Sequence, residues 1–161
     1  MGSDAAREAA EPRWLKADEL DTWKTLQLTM ALLTSALGEQ LQRDSNLSFL
    51  EYYVLAGLSD QPEHTMRLSN LAVLANSELS RLSHLIRRLE NRGLVRREPD
   101  PNDGRFTNAI LTPDGYEELA KAAPGHVELV RKLVFDPLTE AEGRALQKAM
   151  SKLLPGLLGD C

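Results

Sequence analysis

The fold is decided by the stretch from Leu68 to Leu119, which reads LSNLAVLANSELSRLSHLIRRLENRGLVRREPDPNDGRFTNAILTPDGYEEL. Its first half predicts a short helix, a turn at 75–76 and a second helix, because apolar residues recur there at helical spacing. In the second helix this spacing marks a stripe that faces the core: Leu82, Leu85, Ile86 and Leu89. The stretch therefore indicates two short helices joined by a tight turn.

The period of the sequence changes after Gly93, which we expect to end the second helix in the position that favours glycine. The segment LVRRE is strand-like, PDPNDG is rich in turn residues, and RFTNAIL can return as a second strand. These segments predict a helix-turn-helix followed by a β-hairpin wing at about 94–111. The second helix is expected at about 77–92, with Asn76 or Ser77 as its cap.

Positive charge is concentrated in this stretch although the whole chain is acidic. The 161 residues carry a formal net charge of −5, yet six arginines and a single glutamate lie between Arg81 and Arg97. A face that only meets solvent normally mixes both signs. The concentration therefore favours contact with a polyanion over a solvated face, which is the alternative for any run of charge.

The side chains opposite the leucine stripe can all form hydrogen bonds. Successive residues of a helix are rotated by about 100°, which places a polar face opposite Leu82. Arginine pairs with guanine edges or with phosphate, and serine contacts bases or phosphate. We therefore predict that this face and its flanks contact DNA through Ser77, Ser80, Arg81, His84, Arg87 and Arg88.

The wing adds one further basic residue, Arg105, at the tip or edge of its turn. An arginine in this position can enter a minor groove. Asp103 lies two residues earlier, and phosphate would repel its carboxylate. We therefore expect Asp103 to hold a nearby arginine in place, and Asp103 and Arg105 complete the predicted DNA-binding set.

The segment before this module reads as a long helix within 14–47, with Asp18 as a candidate N-cap. Residues 1–13 lack a periodic apolar face and are expected to be poorly ordered. The helix carries a stripe that suits packing on another helix or another chain: Leu26, Met30, Leu33, Leu37 and Leu41.

Capping residues and prolines predict where the remaining helices begin and end. The pattern S/T-x-x-E, which opens helices, occurs at Ser48 and again at Thr139. Thr112 precedes a proline and is expected to cap a helix that Pro124-Gly125 then kinks or breaks, whereas the last helix is expected to end before Pro155. The predicted organisation is a DNA-binding module at 48–112 and C-terminal helices at 113–161.

These features together resemble the MarR family of bacterial winged-helix transcription regulators. The matching segments are the leucine-rich first helix, the serine-rich start of the second, LIRRLENRGLVRR, the D-x-R of the wing at Asp103 and Arg105, and LTPDG. The resemblance implies a mainly α fold with a small β-hairpin wing. It also implies an obligate homodimer, formed by the terminal helices, that binds pseudo-palindromic DNA and frequently responds to small, often aromatic ligands.

A dimer is also expected on physical grounds, because one helix and one wing read only a few base pairs. Two-fold pairing places two recognition helices about one turn of DNA, ~34 Å, apart. The last helix offers apolar surface for such pairing: Leu146, Met150, Leu153 and Leu154. A core within one chain is the alternative for each of these residues taken singly.

A ligand pocket is expected between the dimerising helices and the DNA-binding module. Aromatic side chains could stack on a ligand there, and an arginine could pair with a carboxylate. The candidates are Arg13, Trp14, Trp23, Tyr52 and Tyr53. The alternative is that these aromatic residues belong to the core.

Several other function classes find no support in the sequence. There is no phosphate-binding loop, dinucleotide motif, zinc-protease motif or nucleophile elbow, which argues against an enzyme or a cofactor. The three histidines are scattered and Cys161 is the single cysteine, so no metal site is predicted. With no secretory signal and no apolar run of roughly 18 residues, a cytoplasmic protein that does not enter a membrane is expected. The expected function is a sequence-specific DNA-binding regulator that acts as a repressor and is released by a small ligand. The alternative is a winged helix that contacts only other proteins.

Overall fold

A computed structural model describes residues 11–158 of the chain. This part forms six α-helices and three β-strands: α1 Ala17–Ser45, α2 Phe49–Ser59, β1 Thr65–Arg67, α3 Leu68–Leu74, α4 Leu79–Asn91, β2 Val95–Pro99, β3 Thr107–Leu111, α5 Pro113–Val130 and α6 Glu140–Leu158. A single 3-10 turn, Pro62–His64, precedes β1, and a π-helical segment, Arg131–Phe135, follows α5. The prediction of a mainly α fold with a small β wing is confirmed. Most of the predicted tail, and Cys161, lie outside the described residues.

The chain divides within α1 into two compact units, with the boundary between Leu33 and Thr34. The described part of the first unit is the segment before α1 and the N-terminal half of that helix. Most of its side chains are exposed, among them Leu28 and Leu32. The second unit holds the end of α1 and all other helices and strands.

The core of the second unit forms where α2, α3 and α4 pack on the sheet. In α4, Leu82, Ile86 and Leu89 are completely buried and Leu85 is nearly so, which confirms the predicted stripe. Burying one such side chain contributes roughly 1.5–3 kcal/mol to folding. Since this burial fixes the core side of α4, it also fixes which residues of the helix point away from the protein.

The sheet contains a strand that the sequence did not reveal. The strand order is β1-β3-β2, and both neighbours pair antiparallel to β3. β1 spans only three residues and leads directly into α3. Such a short strand exists because the free edge of β3 offers it hydrogen-bond partners, for example Ala109 opposite Met66.

Most of the predicted helix ends are confirmed. Ser48 and Glu51 form the reciprocal capping box at the start of α2, and Thr139 and Glu142 exchange the same hydrogen bonds at the start of α6. Thr112 accepts a hydrogen bond from the backbone N–H of Gly115. Gly93 follows the C-cap of α4 with a φ of +74°, as expected.

The predicted caps of α1 and α4 are wrong. Asp18 lies inside the first turn of α1, where Glu19 instead accepts the backbone N–H of Lys16. The N-cap of α4 is Glu78, in an extended conformation and without a side-chain hydrogen bond. Asn76 serves the turn instead, with a φ of +44° that asparagine tolerates better than most residues.

A break at Pro124 and an end of the last helix before Pro155 are also wrong. α5 continues through Pro124 to Val130, and α6 continues through Pro155 to Leu158. Proline fits the helical φ and removes a single backbone hydrogen bond. In both helices the surrounding turns maintain the helix despite that loss.

The glycine of LTPDG is required by packing. A Cβ on Gly115 would lie 2.9 Å from the carbonyl carbon of Leu94 and closer still to its oxygen. The same carbonyl accepts the backbone N–H of Thr112 at 3.1 Å. The start of α5 is therefore held directly against the residue that leads into β2.

Candidate nucleic-acid interface

The outward face of α4, defined here as Ser80, Arg81, His84 and Arg87, is exposed along its length. None of these side chains makes a hydrogen bond or ion pair within residues 11–158. Ser77, which the sequence placed on the same face, lies partly buried in the turn before the helix. The outward face is thus a row of hydrogen-bonding groups that the described protein does not use.

Arg88, on the flank of this face, is engaged with the protein. Its Nε donates to Oε1 of Glu51 at 3.4 Å, while Oε2 of Glu51 accepts the backbone N–H of Ser48 at 2.8 Å. Glu51 is buried, with 7% of its surface exposed. One carboxylate therefore caps α2 and also ties α2 to α4.

A cleft of about 500 Å³ lies between the start of α2 and this flank of α4. Arg81, His84 and Arg88 from α4 line one side, and Ser48 and Leu50 line the other. The carboxylate of Glu78 also lines the cleft, but the basic and hydroxyl side chains outnumber it, and such groups around a concave surface suit a polyanionic backbone.

Arg105 in the wing is exposed, but its side chain is hydrogen-bonded to Asp103. Its Nε and Nη2 donate to the two carboxylate oxygens of Asp103 at 2.9 and 2.7 Å, while 86% of its side chain remains accessible. These hydrogen bonds hold the pKa of Asp103 below its ordinary value. The expectation that Asp103 holds an arginine in place is confirmed.

A second ion pair lies at the base of the wing and was missed from the sequence. Nε of Arg67, at the end of β1, donates to Oδ2 of the buried Asp100 at 2.7 Å. The guanidinium carbon of Arg67 also lies 4.6 Å from the centre of the Phe106 ring. The sequence gives no signal for this ion pair, because Arg67 is 33 residues away from Asp100 and no local pattern connects them.

The remaining arginines of the basic run have partners. Arg97 donates to Glu90 through Nε and Nη2 at 2.9 and 2.6 Å, which lowers the pKa of Glu90 and links β2 to α4. Arg96 pairs with Glu98, and Arg92 donates to the backbone carbonyl of Asn46. Of the six arginines, only Arg81 and Arg87 have no hydrogen bond or ion pair among the described residues.

The candidate ligand residues of α2 lie in different surroundings. Tyr52 is half-buried against the ring of His126, at 4.4 Å between ring centres, and burial raises the pKa of its hydroxyl. Burial lowers the pKa of His126, whose Nδ1 is buried without a hydrogen-bond partner. Tyr53 is exposed and stacks on Phe49.

The other three candidate ligand residues belong to the N-terminal unit. Arg13 and Trp14 precede α1, and Trp23 lies within it. All three are exposed. Their predicted role as ligand contacts stays a prediction.

Residues 11–158 offer neither a membrane-spanning helix nor a metal-binding cluster. No helix in this part is long and apolar enough to cross a membrane. No cluster of three or more histidine, cysteine or acidic residues there is placed to hold a metal ion.

The comparisons with known proteins agree on one family. Residues 47–107 match the model of the MarR family. The crystal structure of Sco3205 from Streptomyces coelicolor, a MarR family transcriptional regulator in complex with DNA, is 43% identical, with a TM-score of 0.87 and 92% of each chain covered. The chain belongs to the MarR family.

Two curated relatives are also transcriptional regulators. HosA of Escherichia coli O111:H- is 38% identical over 76 residues, which are 46% of this chain and 53% of HosA, so the match spans about half the length of that relative. The transcriptional repressor IacR of Pseudomonas putida is 27% identical over 74% of this chain and 70% of its own length. The match to the family model and to Sco3205 makes this chain a MarR-family transcriptional regulator.

Proposed function

We propose that this MarR-family protein is a homodimeric, sequence-specific repressor that binds pseudo-palindromic double-stranded DNA and is released by a small, aromatic ligand. In this proposal α4 lies in the major groove and Arg105 enters the adjacent minor groove. The contacts come from Ser77, Ser80, Arg81, His84 and Arg87 on the helix, with Asp103 orienting Arg105.

The outward face of α4 is the observation that carries the proposal. Arg81 and Arg87 lack ion-pair partners within the described chain, whereas the other four arginines of the basic run have hydrogen-bond or ion-pair partners. A guanidinium without a partner on the exposed side of a winged-helix recognition helix suits guanine O6 and N7 or a phosphate. The DNA complex of Sco3205 supports this use of the fold.

The C-terminal helix supports the dimer. None of the described residues of α6 is buried, and its leucines and methionine are widely exposed: Leu146, Met150, Leu153, Leu154, Leu157 and Leu158. An exposed apolar face of this extent is typical of a surface that packs against another protein. A second copy of the chain can bury this face in a two-fold symmetric dimer.

Release by a ligand rests on the pair of Tyr52 and His126. A buried ring nitrogen without a partner, beside a tyrosine whose burial raises its pKa, is a place where a polar aromatic molecule would gain hydrogen bonds. The assignment as a repressor is supported by the similarity to the transcriptional repressor IacR, and a dimer bound across an operator would block transcription sterically.

A gel-shift assay against genomic fragments, repeated at two salt concentrations, tests the DNA-binding part. We expect one or a few fragments to shift, with an affinity that falls steeply as salt rises because phosphate contacts release counterions. Arg81→Ala and Arg87→Ala should each weaken the shift, whereas Arg144→Ala, which removes an exposed arginine paired with Glu140 on α6, should not.

The alternative is a winged helix that contacts only other proteins. It predicts that no fragment is shifted above the level of random DNA, and that Arg87→Ala and Arg144→Ala behave alike. Sedimentation of the free protein tests the dimer separately, because a monomer at micromolar concentration would contradict that part alone.

A further inference from the structure

The wing loop, residues 100–106, is built around a side chain from a distant strand. Arg67 ends β1, at the edge of the sheet, and pairs with Asp100 where the loop begins. We propose, on the basis of the function above, that Arg67 is a positioning residue that sets the place of the wing arginine, Arg105, through Asp100.

Asp100 organises the loop from inside. Its Oδ1 accepts the backbone N–H groups of Asn102 and Asp103 at 2.9 and 3.2 Å, and its own N–H donates to the carbonyl of Phe106 at 2.9 Å. Its other oxygen, Oδ2, takes the guanidinium of Arg67. Both carboxylate oxygens are therefore used, one by the turn and one by the sheet.

The same network reaches Arg105 in two ways. Asp103, whose N–H is bound by Asp100, holds Arg105 through both carboxylate oxygens. Phe106, the next residue after Arg105, lies under the guanidinium of Arg67, at 4.6 Å from its ring centre. Arg67 thus contacts the loop at its first residue and again at its last.

The charge of Asp100 makes the network depend on Arg67. The carboxylate is 7% exposed, and Arg67 is the only cation paired with it in the described chain. A buried carboxylate that loses its cation is strongly disfavoured, so the loop would rearrange to hydrate Asp100. That rearrangement would release the turn at Asp103 and, with it, Arg105.

A direct contact between Arg67 and phosphate is the competing explanation, because 37% of the Arg67 side chain is exposed. The two explanations predict opposite signs for Asp100→Asn. If Arg67 contacts DNA itself, this variant frees the guanidinium, removes a negative charge and tightens binding. If Arg67 acts through the loop, the same variant disturbs the turn and weakens binding.

The test compares wild type with Arg67→Met, Asp100→Asn, Arg105→Ala and the double variant Arg67→Met/Arg105→Ala. The probe is a DNA duplex enriched for binding to the wild-type protein from a random pool, and affinity is measured over a series of salt concentrations. We expect Arg67→Met and Asp100→Asn each to weaken binding roughly tenfold, about the loss of one positioned contact. In the Arg105→Ala background, Arg67→Met should have no further effect.

Tighter binding by Asp100→Asn, or losses that multiply in the double variant, would overturn the proposal. A second readout does not depend on DNA. Trypsin should cut the full-length Arg67→Met protein after Arg105 faster than it cuts wild type, as followed by mass spectrometry, while cleavage after Arg144 proceeds at the same rate in both.

The two readouts separate this inference from the proposed function. If no duplex is enriched but Arg67→Met speeds cleavage after Arg105, the function proposal fails and the role of Arg67 in the loop stands. If duplexes bind but neither cleavage nor affinity responds to Arg67→Met, the function stands and the role assigned to Arg67 is wrong.

Discussion

The helix α4 and the wing loop carry similar charged residues but use them in different ways. On the outward face of α4, Arg81 and Arg87 have no hydrogen bond or ion pair among the described residues. In the wing loop, Arg105 is bound by Asp103, and Asp100 by Arg67. The two polar surfaces therefore differ in how many of their hydrogen-bonding groups are already bonded within the protein.

The difference follows from how each element obtains its shape. A helix has its own backbone hydrogen bonds and is positioned by one apolar face, so the side chains opposite that face are free. A loop lacks a regular hydrogen-bond ladder and must use side chains to fix its backbone. Charged residues in the wing loop therefore have a structural role before they can have a binding role.

The largest expected effect comes from removing the apolar support of α4. Leu89→Ala should lower the free energy of unfolding by roughly 2–5 kcal/mol, because it leaves a cavity at a completely buried position. Urea denaturation measures the change. The matched control is Arg87→Ala on the same helix, which should change stability by less than about 0.5 kcal/mol; equal losses would show that the outward face also supports the fold.

Arg87→Ala should instead act on DNA affinity. The expected loss is roughly 1–3 kcal/mol for a base contact, or a fall of about one in the salt slope for a phosphate contact. Titration of a selected duplex over a salt series distinguishes the two. If neither the affinity nor the slope changes, Arg87 does not contact the duplex.

A smaller effect on DNA affinity is expected at Arg88, which links α4 to Glu51 of α2. Glu51→Gln keeps the capping hydrogen bond to Ser48, since glutamine serves in capping boxes, but removes the charge that faces Arg88. If Arg88 acts only through Glu51, Arg88→Met and Glu51→Gln should weaken DNA binding to a similar, severalfold extent without changing the salt slope. A lower slope in Arg88→Met alone would instead show a phosphate contact.

The smallest effect concerns pH and the wing loop. The pKa of Asp103 is lowered, chiefly by its hydrogen bonds with the Arg105 side chain. A carboxylate whose pKa is lower in the folded state stabilises the protein above its unfolded pKa, about 3.9, and loses that contribution as pH falls through the folded pKa. The stability difference between wild type and Asp103→Asn should therefore stay constant from pH 7 to pH 5 and shrink only below about pH 4; a difference that disappears between pH 7 and pH 5 contradicts the lowered pKa.

Much of the module was predictable because its signals are local. Each of these signals depends on residues within a few positions of one another. They are the leucine stripe of α4, the capping box at Ser48, the glycine that ends α4 (Gly93) and the pair of Asp103 and Arg105. Spacing alone reveals such features. The same local signals failed at Pro124 and Pro155, where the helices continue although proline is a frequent end signal.

By itself, the sequence determined the order of the helices, the core face of α4, and therefore the face that is free to bind, because helical periodicity links these directly. The tertiary structure alone decided which charges remain available. Arg88, Arg92 and Arg97 bond to residues of other elements, and Arg67 binds the wing loop from β1. Arg81 and Arg87 have no hydrogen bond or ion pair in the described chain. An ion pair depends on distances between side chains that the fold brings together, and those distances are not encoded by any pattern of neighbouring residues.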